Sequence, residues 1–165
     1  MQRVFSILVD NNPGLLSRVA GLFSRRGYNV DSITAGTTED PNITRITIVA
    51  SGDELILSQI EKQVSKLEDV REVKVLKAGE SVIRELIMVK VRVDAAHRGE
   101  IISIADVFRA KIVDVEKESL VVELTGSQSK LEAFLNLLDG YEILELARTG
   151  ITALSRGCDD IAHFD

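Results

Sequence analysis

The apolar pattern of residues 3–76 changes period in a set order, and that order constrains the fold more than any other feature of the chain. RVFSILV (3–9) is a short apolar run with Val and Ile, which reads as a buried strand. In PGLLSRVAGLFSRRG (13–27), Leu15, Val19, Leu22 and Phe23 recur at helical spacing. Arg25 and Arg26 suit the last turn of that helix and Gly27 its C-cap, while Asn12 reads as the N-cap and Pro13 as the first helical residue. YNVDSITAGTT (28–38) and ITRITIVAS (43–51) read as strands separated by the turn signal EDPN (39–42). A second helix is expected over 53–67, with Leu55, Ile56, Ile60, Val64 and Leu67 on its buried side, before the alternating strand VREVKVL (70–76).

Strand–helix–strand–strand–helix–strand is the split βαβ, or ferredoxin-like, arrangement. After the polar break KAGES (77–81) the same order returns: strand 84–93, helix 98–108, strands 111–118 and 119–126, helix 127–138, and a last strand within 141–151. The expectation is an α+β protein of two ferredoxin-like βαββαβ domains. They span 1–77 and 83–157, with a linker at 78–82 and a loosely ordered tail at 158–165. A unit of this size has a small core and a sheet with one open face, so pairing with another domain or subunit is expected.

Charge excludes some partners. Residues 1–77 carry ten Lys/Arg and ten Asp/Glu, and the net −6 of the chain lies in the rest. Neither half has the basic excess that phosphate backbones demand, and aromatics at 4% are too few for base stacking, so no nucleic acid is expected. No apolar run is long enough to span a membrane, no secretory signal is visible, and cysteine occurs once, at Cys158. A cytoplasmic setting without disulfides is expected.

The stretch DNNPGLLSR (10–18) raises the functional question. Gly14 in the first helical turn is a poor helix former, by about 1 kcal/mol relative to Ala. One explanation is tight packing of the helix start on the sheet. Another is a binding site, in which the free N–H groups of the first turn form an anion site and Gly14 lets a carboxylate approach the backbone. Asn11 is neutral and able to donate or accept, which suits a small zwitterion better than a phosphate, and Asn29 offers a second such amide. Leu15, Val30 and Ile33 supply aliphatic surface.

Other constellations carry less. SQSK (127–130) has the spacing of a serine acyl enzyme but lacks its companion motifs, and Ser127 reads as a helix N-cap. His97, His163 and Cys158 show no paired-ligand spacing, so neither a metal site nor a catalytic residue is expected; Asp159, Asp160 and His163 read as a solvated tail.

NNPGLLSR (11–18) has the N-x-x-G-x-L-x-R form that opens an ACT domain, a ferredoxin-like module that commonly binds amino acids. GLFSRRGYNVDSI (21–33), DPNITRITI (40–48), QIEKQVSKLEDV (59–70), RELIMVKV (84–91), AKIVDV (110–115), LEAFL (131–135) and ARTGITALSRG (147–157) extend the likeness. Together they resemble the regulatory small subunit of acetohydroxyacid synthase, also called acetolactate synthase. The resemblance implies an N-terminal ACT domain and a chain with no catalytic activity or cofactor of its own. It implies a catalytic large subunit as partner, carrying thiamine diphosphate, magnesium and FAD, at the committed step of branched-chain amino acid biosynthesis. It further implies activation of that subunit and allosteric feedback inhibition, most often by valine, at a site between two ACT domains of a homodimer. Carried over by motif, Asn11 and Gly14 hold the effector, Asn29 and Val30 come from the partner chain's second strand, and Leu15, Leu16 and Ile33 are wall residues. The second domain receives no ligand. A free-standing ACT sensor acting on another partner is the alternative reading.

Overall fold

The computed structural model describes residues 1–161. His163, and with it part of the expected tail, lies outside the described residues. Two compact units divide the chain: Met1–Ile83 with the chain's end from Ile151 onward, and Arg84–Gly150. Among the described residues no helix is long and apolar enough to cross a membrane.

The first unit runs β1 (Gln2–Asp10), α1 (Leu15–Arg26), β2 (Asn29–Thr37), β3 (Ile43–Ser51), α2 (Glu54–Val64) and β4 (Val70–Leu76). Its sheet has the order β2-β3-β1-β4 with antiparallel neighbours, the ferredoxin-like arrangement read from the sequence. Phe5, Ile7 and Val9 of β1 and Ile46, Ile48 and Ala50 of β3 meet Val19, Leu22 and Phe23 of α1 and Leu57, Ile60 and Val64 of α2. Gly27 ends α1 in the left-handed conformation, beside Arg25 and Arg26 in the last turn. Asp53 caps α2 by accepting from the Ile56 amide (2.8 Å). Leu57 shares the core-facing side of α2 with Ile60 and Val64, three and seven residues on, so it is buried and Leu55 is exposed, against the expectation.

The start of α1 also departs from expectation. The helix begins at Leu15, and Gly14, with φ 79° and ψ 2°, precedes it without a side-chain cap. The Leu15 amide donates to the Asn12 carbonyl (3.3 Å). Residues 12–15 therefore form a type II turn, with Pro13 at the position whose φ it presets and Gly14 at the one that needs positive φ. Asn12 is not the N-cap, because its side chain is engaged elsewhere.

The second unit repeats the order as β5 (Ser81–Arg92), α3 (Arg98–Phe108), β6 (Lys111–Val115), β7 (Ser119–Gly126), α4 (Gln128–Leu137) and β8 (Glu142–Arg148). Its sheet path is β6-β7-β5-β8, again antiparallel. Ser127 is the N-cap of α4, accepting from the Lys130 amide. Ser127 thus takes the N-cap place that SQSK leads one to expect.

The chain's end is where the sequence misleads most. A ninth strand, β9 (Thr152–Ser155), follows Gly150 and pairs with β5, whose residues 81–83 belong to the first unit. Ile151 and Ala153 pack with Val49 and Leu76 on the face of the first sheet opposite its helices, against Val4 and Ile83. The Thr34 hydroxyl donates to the Ile151 carbonyl (3.0 Å), Lys74 pairs with Asp159 (2.5 Å), and Ile161 is buried. The first sheet thus covers much of its second face with its own chain. Ile151→Ala should cost about 2–5 kcal/mol through the cavity it leaves, whereas Leu154→Ala, at a side chain 58% exposed, should cost under about 0.5 kcal/mol. Urea denaturation of both variants checks the ranking.

Candidate functional site

In the first unit, β1 and β2 end at the same edge of the sheet, because β3 lies antiparallel between them. Register pairs Val9 with Thr44 and Thr44 with Thr37, so these three form a row beneath the start of α1. Above that row is a cleft of about 360 Å³. Asn11, Asn12, Gly14, Leu15, Leu16 and Ser17 line one side, and Ala35, Gly36, Thr37 and Thr44 the other.

The loop entering the cleft is held from both sides. The Asn11 amide donates to the Asn42 carbonyl (2.8 Å) and its side chain to the Pro41 carbonyl (3.3 Å), both in the β2–β3 turn. On the other side Asp69, in the turn before β4, takes Asn12 Nδ2 on Oδ1 (2.9 Å) and Arg18 Nε on Oδ2 (2.7 Å). The Asp10 amide donates to the Asp69 carbonyl (2.8 Å), and Arg71 Nε pairs with Asp10 Oδ1 (2.5 Å).

Because α1 starts at Leu15, its first backward bond runs from the Arg18 amide to the Gly14 carbonyl (3.1 Å). The Leu16 and Ser17 amides have no acceptor among the described residues. They are two oriented donors at the positive end of the helix dipole. Around them stand the Ser17, Thr37 and Thr44 hydroxyls, the Asn11 amide and the exposed Leu16 side chain. No charged side chain lines the cleft. Such a setting can take a carboxylate on the amides, pair an ammonium with carbonyl or hydroxyl oxygens, and shelter a small aliphatic group.

Asn11, Gly14, Leu15 and Leu16 thus share one cleft, although Leu15 spends most of its surface in the core, being 5% exposed. Asn29, Val30 and Ile33 do not join them within one chain. They lie on β2, the outer strand of the sheet, with Asn29 at the end away from the cleft and its side chain donating to Asp31 (3.1 Å). Val30 and Ile33 are partly exposed. Sequence reasoning missed Ser17, Ala35, Gly36, Thr37 and Thr44. The topology itself was the signal for the last four, since a split βαβ brings the end of its second strand and the start of its third to the same end of the sheet as the end of its first.

A second cleft, of about 380 Å³, lies in the other unit between Arg92, Asp94, His97, Glu118 and the 140–142 turn. Most of its charges are spent on each other: Asp94 accepts from His97 Nδ1 (2.7 Å) and Arg92 Nε donates to Glu142 (2.8 Å). Among the described residues that line it, no free donors comparable to those at α1 are found, and no ligand is assigned to it.

Comparison with known proteins gives the family of the chain. Residues 5–72 match the family model described as the AHAS small subunit-like ACT domain, and residues 84–157 match the one described as the small subunit of acetolactate synthase. A probable acetolactate synthase small subunit from Methanothermobacter thermautotrophicus is 52% identical over 155 residues, covering 93% of this chain and 92% of that one. The acetolactate synthase isozyme 3 small subunit of Escherichia coli K12 is 46% identical over 158 residues, covering 95% and 97%. The crystal structure of an acetolactate synthase small subunit from Thermotoga maritima superposes with a TM-score of 0.88 at 43% identity, covering 95% of this chain and 98% of that one.

The clamp at the mouth of the cleft has a pH signature. The hydrogen bond from Asn12, then that from Arg18, holds the Asp69 carboxyl below the usual aspartate range. A carboxylate depressed in the folded state stabilises it above the unfolded value and stops doing so as pH falls through the folded one. The Asp69 side-chain carbon, followed by NMR, should titrate below about pH 3.9, the ordinary aspartate value, and Arg18→Gln should move that midpoint upward.

Proposed function

Because the chain belongs to the family of acetolactate synthase small subunits, with an ACT domain as its first unit, we propose that it activates a catalytic large subunit and makes it subject to feedback inhibition by valine. The partner subunit, on this reading, carries the thiamine diphosphate, magnesium and FAD, and this chain contributes no catalytic group. The observation that carries the effector reading is the cleft lined by Thr37 and Thr44, where the Leu16 and Ser17 amides have no acceptor among the described residues. The likeness extends into residues 84–157, which favours a synthase subunit over a free-standing ACT sensor.

The proposed site is completed by a second copy. β2 is an edge strand of nine residues with Ile33 at its centre. Antiparallel pairing of β2 with the same strand of another copy about Ile33 sets the copy's Asn29 opposite Thr37 and its Val30 opposite Gly36. Those are two residues of the cleft wall. A homodimer of this kind explains how Asn29, Val30 and Ile33 serve a site from which they are remote within one chain. It also removes the open edge of the sheet.

The expected affinity follows from the parts. Hydrogen bonds to the charged ends contribute roughly 1.5–3 kcal/mol each, and burial of the aliphatic group about 1.5–3 kcal/mol. After association costs, a dissociation constant on the order of micromolar to sub-millimolar results. Inhibition then requires only that valine bind one quaternary arrangement better than another.

Calorimetric titration with L-valine, against a polar amino acid as control, tests the reading. Gly14→Asp should abolish binding by setting a carboxylate where that of the effector belongs. Gly14→Asn is the matched control, since it carries the same positive-φ strain and the same approach to Arg18 without the charge. Binding of valine to the Asp variant as tight as to the Asn variant would remove Gly14 from the site.

A further inference from the structure

Residues 12–15 encode two local structures. With Asn12 as cap and Pro13 and Gly14 in the first turn, α1 would be longer by two residues, and each residue type suits or tolerates that arrangement. In the longer helix the Leu16 and Ser17 amides donate to the Asn12 and Pro13 carbonyls, four positions back. The donors that face the cleft would then be consumed. The structure has the other outcome: Gly14 is left-handed, the helix starts at Leu15, and both amides are free.

What selects this outcome lies outside the segment. Asn12 Nδ2 donates to Asp69 Oδ1 (2.9 Å), which draws the natural cap away from α1. Arg18 Nε donates to the other oxygen of the same carboxylate (2.7 Å), and its Nη1 reaches the Pro13 carbonyl (3.5 Å), the acceptor that Ser17 would need. The Asp69 side chain is 13% exposed, while that of its partner Arg18 is about half exposed. Its backbone carbonyl holds the Asp10 amide independently of the side chain, so a substitution at Asp69 leaves the end of β1 anchored.

We propose that Asp69 is a positioning residue of the effector site. By holding Asn12 and Arg18 together, it selects the Pro13–Gly14 turn over the longer helix and keeps the Leu16 and Ser17 amides open to a ligand. The consequence for effector binding rests on the reading of the cleft given above; the consequence for the loop does not.

Two measurements on the full chain test it. In the ligand-free protein, Asp69→Asn should slow hydrogen exchange at Leu16 and Ser17, because both amides gain helical acceptors. Simple loosening would speed it, so unchanged or faster exchange overturns the proposal. In titrations with L-valine, Asp69→Asn should weaken binding about tenfold, the factor expected if one molecule in ten keeps the open loop. Adding Asn12→Ala, which deprives the longer helix of its cap, should restore most of that loss. Wild-type affinity in Asp69→Asn, or no recovery in the double variant, overturns the coupling to the site. If the unaltered protein fails to bind valine, the effector reading fails by itself, and the exchange measurement still decides the role of Asp69.

Discussion

Everything around the site depends on β1 being held on both edges and both faces. It is paired with β3 on one side and β4 on the other, and residues 5–9 are buried without a break. One face is covered by α1 and α2, the other by the returning chain around Ile151 and Ala153. A strand fixed this way delivers residues 10–17 to one place, between the 41–42 turn and the turn at Asp69 with the start of β4. A loop pinned at that many points can present backbone donors with little ordering cost on binding.

The start of α1 shows how a tertiary contact overrides a local preference. An asparagine cap contributes about 1 kcal/mol to a helix, and Asn12-Pro13 is a good opening for one. Charge-assisted bonds to a shielded carboxylate are stronger than neutral ones, and Asp69 lies fifty-one residues from Arg18 in sequence. No window of local sequence contains that partner. The glycine makes the choice possible, because φ 79° strains other residues and helical φ is open to glycine as well.

The second unit shows that topology alone does not make the site. Its β5–α3 connection occupies the equivalent place in the fold, yet reads Asp94 to His97 in place of the asparagine–proline–glycine run. Asp94 accepts from both the amide and the ring of His97, and its carbonyl takes the Arg98 amide, so this carboxylate is engaged within its own loop. The hydrogen bond that His97 donates to Asp94, and the charge of that carboxylate, raise the His97 pKa. One strand order thus carries a helix start beside a cleft of uncharged groups in one copy and one beside an aspartate–histidine pair in the other.

The order of strands and helices in both units was legible in the sequence, because hydrophobic period is a local property and each element is long enough to show it. So were the Gly27 and Ser127 caps and the clustering of Asn11, Gly14, Leu15 and Leu16, which are close in the chain. Ferredoxin-like topology made the approach of Ala35, Gly36, Thr37 and Thr44 deducible, though no motif in those residues announces it. The tertiary structure alone decided that Asn12 turns to Asp69, that α1 starts at Leu15, and that residues 151–161 return to the first sheet. Each of those depends on partners distant in sequence, and the free energy that selects them comes from contacts no local pattern records.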